Sequence, residues 1–150
     1  MTHVVIVEAR FYEDIAEEMA KGCIAVLEKA GATWQRIPVP GCFEIPAAIS
    51  FVLHGLAGQP DLPNVDGFVA LGCVIRGETT HYDVVCNETA RGIQHLAVTH
   101  EAAVGFGILT VENDEQAWAR AKIGGKRDAG GAAARACLRM IELKRQFRLG

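Results

Sequence analysis

Residues 68–83 read FVALGCVIRGETTHYD, and this stretch predicts a buried strand that runs through a turn into a helix. Phe68–Ile75 is a nearly continuous apolar run, which is typical of a strand covered on both faces. After Gly77 the pattern changes, and from Tyr82 to Thr99 the apolar residues recur every three or four positions, as on one side of a helix. A buried strand followed by an amphipathic helix is the repeating unit of parallel α/β proteins.

The same unit recurs on both sides of this stretch. Three further strands are predicted at Val4–Val7, Trp34–Val39 and Ala103–Leu109. Helical spacing of apolar residues predicts one helix between Ile15 and Ala30, ended by Gly31, and a second between Ala47 and Leu56, ahead of a loop at Gly55–Pro63. A short helix is predicted from Asn113, where Gln116 completes a capping-box-like start. The inner face of a long last helix is predicted to carry Ala133, Cys137, Met140, Leu143 and Phe147. This alternation predicts one domain over residues 1–150, a three-layer α/β/α sandwich with a four-stranded parallel sheet of flavodoxin-like form.

Composition narrows the class of protein further. Half of the 150 residues are apolar and 22% are charged, which supplies a core and argues against disorder. The net charge of −3 argues against a broad nucleic-acid surface, and no apolar run has the roughly 18 residues of a membrane span. The N-terminus shows no secretory signal, and the five cysteines form no Cys-x-x-Cys pair. We therefore expect reduced thiols in a cytoplasmic protein.

Unusual residues gather where the predicted strands end. Ligands of open parallel sheets bind beyond the carboxyl ends of the strands. Here those ends are followed by Phe11, by Cys42, Phe43 and Glu44, and by the segment GCVIRGETTH at residues 72–81. Glycines, aromatic rings, charges and a histidine therefore converge on one edge of the sheet, which predicts a ligand site there.

The turn before the third helix suits an anion. Gly77 leaves backbone amides free, and a helix N-terminus offers unpaired N–H groups and a partial positive charge, so a phosphate fits there. Arg76 either adds positive charge to this site or pairs with a surface acid. The alternative to a phosphate site is an ordinary strand-to-helix turn capped by Thr79 and Thr80. His81 lies in the first helical turn, and its side chain has two interpretations. The helix dipole favours a neutral imidazole, which could move protons, or the ring simply packs against the loop.

The remaining candidates have a chemical and a structural interpretation each. Phe11 and Phe43 either stack on a flat heterocycle or close the end of the core. Glu44 either accepts hydrogen bonds from a ligand or complements the helix dipole. Cys42 and Cys73 are either buried small hydrophobes or, for a thiolate beside His81, a nucleophile.

A metal site is not expected. Cys73, His81 and Cys86 are the tightest grouping of possible ligands, and their intervals fit none of the common zinc patterns.

Taken together, these segments closely resemble the lumazine synthase family from Val4 to about Met140. The blocks that carry the resemblance are VPGCFEIP at residues 39–46, GCVIRGETTHYD at 72–83, FGILT at 106–110 and ENDEQA at 112–117, ahead of Arg120. Four blocks in order, at spacings that fit the predicted fold, make the resemblance specific.

The resemblance implies a reaction between two small molecules. The substrates would be 5-amino-6-(D-ribitylamino)uracil and 3,4-dihydroxy-2-butanone 4-phosphate, and the product would be 6,7-dimethyl-8-ribityllumazine in the penultimate step of riboflavin biosynthesis. Imine formation, loss of inorganic phosphate, ring closure and dehydration would follow one another. No metal and no organic cofactor is implied.

The resemblance also assigns roles to residues. His81 would be the proton donor, and Phe11 would stack on the pyrimidine. The ribityl chain and ring would be held by Cys42, Phe43 and Glu44, with Cys73, Val74 and Ile75 lining the same pocket. Glu78 and Thr79 would cradle the phosphate. Phe106 and Arg120 match positions that the family supplies from the neighbouring subunit, Arg120 binding phosphate.

Assembly is implied as well. Family members are pentamers with active sites at subunit interfaces, and some build shells of twelve pentamers. Strand one begins by residue 4, and the loop at Lys122–Gly130 departs from the glycine-rich form of shell-forming members, so a free homopentamer is expected.

Two positions depart from the family pattern. Tyr12 stands where asparagine is usual, and Ala129 stands where a lysine is frequent, with Lys126 and Arg127 as possible substitutes.

The same residues fit two other functions. One is a flavodoxin-like module that binds a flavin or lumazine without catalysis. The other is a cysteine-dependent transferase that uses Cys73 and His81.

Overall fold

A computed structural model describes residues 1–59 and 61–149, so that Pro60, inside the loop expected at Gly55–Pro63, lies outside the described residues. The strands are β1 (His3–Ala9), β2 (Thr33–Val39), β3 (Gly67–Ile75) and β4 (Val104–Val111). The α-helices are α1 (Glu13–Lys29), α2 (Ile45–Ala57), α3 (His81–Thr99), α4 (Asp114–Ala121) and α5 (Ala129–Gln146), and a short 3₁₀ helix spans Cys42–Glu44. Among the described residues, no helix is both long and apolar enough to cross a membrane.

The four strands form one sheet in the order β2-β1-β3-β4, and every pairing is parallel. Ala9 lies opposite Val39 in the register of β1 and β2, and Ile75 lies opposite Val111 in that of β3 and β4. All four carboxyl ends therefore meet at one edge. The predicted four-stranded parallel sheet with helices on both faces is confirmed.

Helices cover the sheet on both faces because alternate strand residues point to opposite sides. Val4 and Ile6 of β1 pack with α1, α4 and α5 in one apolar cluster. Val5 and Val7 pack with α2 and α3 in a second cluster. The central strands β1 and β3 are buried on both sides, which explains why they read as continuous apolar runs, whereas the residues of the edge strand β2 are exposed or half-buried.

The predicted inner face of the last helix is partly wrong. Ala133 and Cys137 are buried as predicted, but Met140 and Phe147 are exposed to 42% and 67% of their surface, and Ile141 faces the core instead. A Cβ atom placed on Gly67, the first residue of β3, would lie 2.8 Å from Ile141 Cδ1. Ala133, Ala134, Cys137 and Ile141 share one side of α5, and Met140 and Phe147 are rotated away from that side.

One helix start differs slightly from the prediction. The third helix begins at His81, one residue before Tyr82. The predicted start of α4 is confirmed, because Asn113 Oδ1 accepts a hydrogen bond of 2.9 Å from the backbone N–H of Gln116. The Gln116 side chain accepts in turn from the backbone N–H of Glu112 at 2.8 Å.

Helix α5 lies directly on the backbone of β4. A Cβ atom on Gly105 would overlap the backbone carbonyl oxygen of Ala133. The absence of a side chain at Gly105 is therefore what allows the helix to approach the strand so closely.

We expect Gly105→Ala to lower the free energy of unfolding by about 3 kcal/mol, because the added methyl group must push α5 away from the sheet. Urea unfolding followed by circular dichroism measures this change. Gly55→Ala is the matched control, since Gly55 is an exposed residue of α2 with open space around it, and it should raise stability by about 0.5–1 kcal/mol. Equal effects of the two substitutions would contradict the close approach.

Candidate active site

A cavity of about 600 Å³ opens at the carboxyl ends of β1, β2 and β3. This volume is in the range of pockets that hold small organic molecules. Nine of the predicted site residues line it: Phe11, Cys42, Phe43, Glu44, Cys73, Val74, Ile75, Thr79 and His81. Tyr82, Val84 and Val85 also line the cavity and were not predicted, although their place in the first turns after a strand end was a usable signal.

Two phenylalanine rings stand at the cavity and not in the core. Phe11 is 73% exposed and Phe43 is 53% exposed, so the interpretation that either ring closes the end of the core is wrong. The edge of one ring faces the other in the pair Phe11–Tyr12, with ring centroids 4.9 Å apart and planes at 84°. An exposed aromatic face beside a cavity can stack on a flat heterocycle.

The N-terminus of α3 opens toward the same cavity. Thr80 occupies the N-cap position and its side chain makes no capping hydrogen bond among the described residues, so the predicted cap by Thr80 is wrong. The hydroxyl of Thr79 accepts a hydrogen bond of 3.3 Å from the backbone N–H of His81. No atom lies within 4 Å of a Cβ placed on Gly77. A helix end of this kind attracts an anion through its backbone N–H groups and its dipole.

Arg76 is already engaged by acidic groups. Its Nε donates to Glu112 Oε2 at 2.7 Å, an Nη2 lies 3.7 Å from Asp83 Oδ1, and the guanidinium lies 4.3 Å from the centre of the Tyr82 ring. The hydrogen bond to Glu112 is the main cause that raises the pKa of Arg76. Of the two interpretations of this residue, pairing with surface acids is the observed one.

The cysteines at the cavity are poor nucleophiles. Burial raises the pKa of the Cys42 thiol to about 12 and that of Cys73 to about 11. A nucleophilic cysteine needs the opposite shift, because only the thiolate attacks. These thiols therefore act as small apolar groups of the cavity wall, and the geometry does not favour a cysteine-dependent transferase.

Within residues 1–59 and 61–149, no three histidine, cysteine, aspartate or glutamate side chains are grouped so that they could hold a metal ion.

Three predicted site residues are not among the described residues that line the cavity: Glu78, Phe106 and Arg120. Phe106 lies on the edge strand β4 with 47% of its surface exposed. The Arg120 guanidinium donates to the backbone oxygen of Gln116 within its own helix at 3.0 Å. Glu78 is exposed in the turn before α3. The single chain thus does not bring these residues to the cavity.

The positions that depart from the family pattern lie in different places. Tyr12 lines the cavity, whereas Ala129 is the first residue of α5 and packs against the first apolar cluster. Lys126 and Arg127 are not among the described residues that line the cavity either.

A charged cluster next to the site was missed by the sequence analysis. Glu8 in β1 is only 1% exposed, and its carboxylate contacts both Arg10 and Arg36. Glu17 of α1 contacts the same two arginines. The sequence signal that could have predicted this cluster was a single acid in an apolar strand with an arginine on the neighbouring strand.

The fold and the cavity together define a class of ligand-binding protein. A parallel α/β domain with an aromatic-rimmed cavity and an open helix N-terminus at the carboxyl ends of its strands is suited to bind a flat heterocycle beside a phosphate.

Comparison with known proteins narrows the class to one family. The sequence model of 6,7-dimethyl-8-ribityllumazine synthase matches residues 1–145. A protein of that name from Agrobacterium fabrum is 56% identical over 145 residues, which cover 97% of this chain and 96% of that protein. One from Paramagnetospirillum magneticum is 46% identical over 149 residues, which cover 99% of each chain. The chain belongs to the 6,7-dimethyl-8-ribityllumazine synthase family.

We expect the Cys73 thiol to resist alkylation by iodoacetamide at pH 7.5 in the native protein. Since its pKa is about 11, the reactive thiolate becomes appreciable only as the pH rises, and labelling should accelerate about tenfold per pH unit below that value. Peptide mass spectrometry at a series of pH values measures the rate. The chain unfolded in urea is the control, and native labelling of Cys73 at the unfolded rate would contradict the shift.

Proposed function

We propose that this chain condenses 5-amino-6-(D-ribitylamino)uracil with 3,4-dihydroxy-2-butanone 4-phosphate to give 6,7-dimethyl-8-ribityllumazine, phosphate and water. Membership of the family supports this enzyme activity in riboflavin biosynthesis. The observation that carries it is the cavity itself, which combines the exposed Phe11 ring, the turn at Cys42–Glu44 and the N-terminal turn of α3 with His81.

Each part of the cavity has a role in this proposal. The pyrimidine stacks on Phe11, and the turn at Cys42–Glu44 holds the ribityl chain and ring together with the wall formed by Cys73–Ile75. The phosphate lies at the N-terminus of α3, cradled by Glu78 and Thr79. This arrangement puts the ketone of one substrate beside the amine of the other. Holding two reactive molecules in this way removes much of the entropic barrier to their reaction.

His81 moves the protons in this scheme. The amine adds to the ketone and water leaves to form an imine, inorganic phosphate departs, and ring closure with loss of a second water gives the product. Each loss of water or phosphate requires a proton at the departing oxygen. The imidazole at the cavity is a suitable donor, since histidine exchanges protons near neutral pH. The chemistry needs no metal and no organic cofactor.

We expect His81→Ala to lower turnover by roughly 10²–10⁴-fold if proton transfer limits the reaction, while binding of the lumazine product persists. Product absorbance measured above the uncatalysed background gives the rate. His95→Ala, at an exposed histidine of the same helix, is the control and should retain full activity.

Both outcomes of this assay discriminate between functions. Wild-type protein that binds a lumazine but forms no product would be a binding module. An active His81→Ala variant would remove the proton-donor role and leave positioning as the source of the rate.

The same proposal includes assembly. The chain acts as a single domain over residues 1–150 in a free homopentamer of the cytoplasm, with each active site between two subunits. Phe106 and Arg120 then belong to the site of the neighbouring subunit. Two observations support this: neither residue lines the cavity of its own chain, and the described lining contains no lysine or arginine to neutralise a phosphate.

A shared site predicts complementation between inactive variants. His81→Ala and Arg120→Ala should each be strongly impaired, because each removes one half of every site. Co-refolding the two in equal amounts should restore about a quarter of wild-type activity, since that fraction of sites pairs an intact His81 with an intact neighbouring Arg120.

Light scattering of the same sample should give about five times the 16.1 kDa chain mass. Absence of any recovery would contradict the shared site, and a mass near sixty chains would contradict the free pentamer.

A further inference from the structure

Glu8, Arg10, Glu17 and Arg36 form a charged cluster in which Glu8 is buried and the other three side chains are partly exposed. Arg36 Nε and Nη2 donate to the two Glu8 carboxylate oxygens at 2.6 and 2.8 Å, and Arg10 Nη1 donates to the same carboxylate at 2.5 Å. Glu17 Oε2 accepts from Arg10 at 3.1 Å and from Arg36 at 3.2 Å. Two positive and two negative groups thus form a neutral, closed set of hydrogen bonds.

Stability alone is a weak reason for this arrangement. Burying a carboxylate costs solvation free energy, and an apolar side chain of similar size is often equally stabilising. The residues that share the face of Glu8 along β1, Val4 and Ile6, are fully buried aliphatic side chains. What a bidentate arginine pair adds over an aliphatic contact is a fixed direction and distance.

The cluster joins the two segments that carry the substrate-binding groups. Arg10 immediately precedes Phe11, and its backbone N–H donates to the carbonyl of Val39, the last residue of β2, at 3.4 Å. Arg36 lies on β2, which leads into the turn at Cys42–Glu44. Glu8, near the end of β1, therefore contacts both Arg36 on β2 and Arg10 at the start of the connection that carries Phe11.

Helix α1 contributes the fourth residue of the cluster. Glu17 lies one turn into this helix, which starts directly after Tyr12. The short connection that carries Phe11 is consequently held at both ends by charge-assisted hydrogen bonds. The ring itself is mostly exposed, so its own packing does not hold it in place.

We propose that Glu8 is a positioning residue: through Arg10 and Arg36 it sets the place of the Phe11 ring relative to the turn at Cys42–Glu44, and thereby the affinity for the pyrimidine substrate. The role rests on the proposed function, in which this ring and this turn hold the pyrimidine. The butanone phosphate, held at the N-terminus of α3, does not depend on it.

The experiment is a comparison of the two Michaelis constants in Glu8→Gln. The amide keeps the shape of the side chain but presents an NH₂ group to a guanidinium, so the cluster loosens. We expect KM for the pyrimidine to rise roughly three- to tenfold, with KM for the butanone phosphate within about twofold of wild type. An unchanged pyrimidine KM would overturn the role of Glu8.

Two controls separate positioning from stability. Ile141→Val lowers stability in the core beside β3, away from the loop, and should leave both KM values unchanged when assayed well below its Tm. Glu88→Gln breaks an exposed ion pair with Arg91 on α3 and should behave as wild type. A parallel rise of both KM values in Glu8→Gln, matched by Ile141→Val, would mean a purely structural role and would overturn the proposal.

A second variant covers the case in which Glu8→Gln does not fold. Glu17→Gln weakens the same two arginines from the partly exposed side, and a selective rise of the pyrimidine KM by about twofold supports the proposal. An unchanged value overturns it. Wild-type protein without turnover would contradict the proposed function and, with it, this role, whereas failure of the variants alone leaves the proposed function intact.

Discussion

Parallel pairing of β1 with both β2 and β3 places the carboxyl ends of three strands side by side, and the site depends on that placement. Each strand end releases a loop with a different chemical group: an aromatic ring after β1, a turn with a carboxylate after β2, and an open helix N-terminus after β3. The two central strands are apolar on both sides because helices cover both faces of the sheet. The core thus determines where the reactive groups meet.

Charge is distributed unevenly around this edge. The described cavity wall is mostly apolar, its buried thiols are protonated because burial raises their pKa, and Arg76, next to the lining residues Ile75 and Gly77, is paired with Glu112. The remaining attraction for an anion comes from the backbone of α3. In the proposed function a phosphate therefore needs a cation that the described cavity wall does not contain, and the proposal assigns it to a second subunit.

Much of the fold could be predicted because it depends on local pattern. Apolar runs identified β1, β3 and β4, and the Asn113–Gln116 spacing identified the start of α4. The inner face of α5 could not be predicted in full, since Met140 and Ile141 are both apolar, lie three and four residues after Cys137, and only the rotation of the packed helix decides which one is covered. The exposure of Phe11 and Phe43 could not be predicted either, because an aromatic residue after a strand can pack in the core or stack on a ligand.

The sequence by itself determined the order of the elements, the residues that follow each strand and the family to which the chain belongs, because these depend on periodicity and on short motifs. The tertiary structure alone decided which charges pair. Glu8 binds an arginine 28 positions away and Arg76 a glutamate 36 positions away, and such distances follow only from how the strands and helices pack. It also decided that Phe106 and Arg120 lie away from the cavity of their own chain. Pairing and exposure are properties of separations in space, which a one-dimensional pattern does not contain.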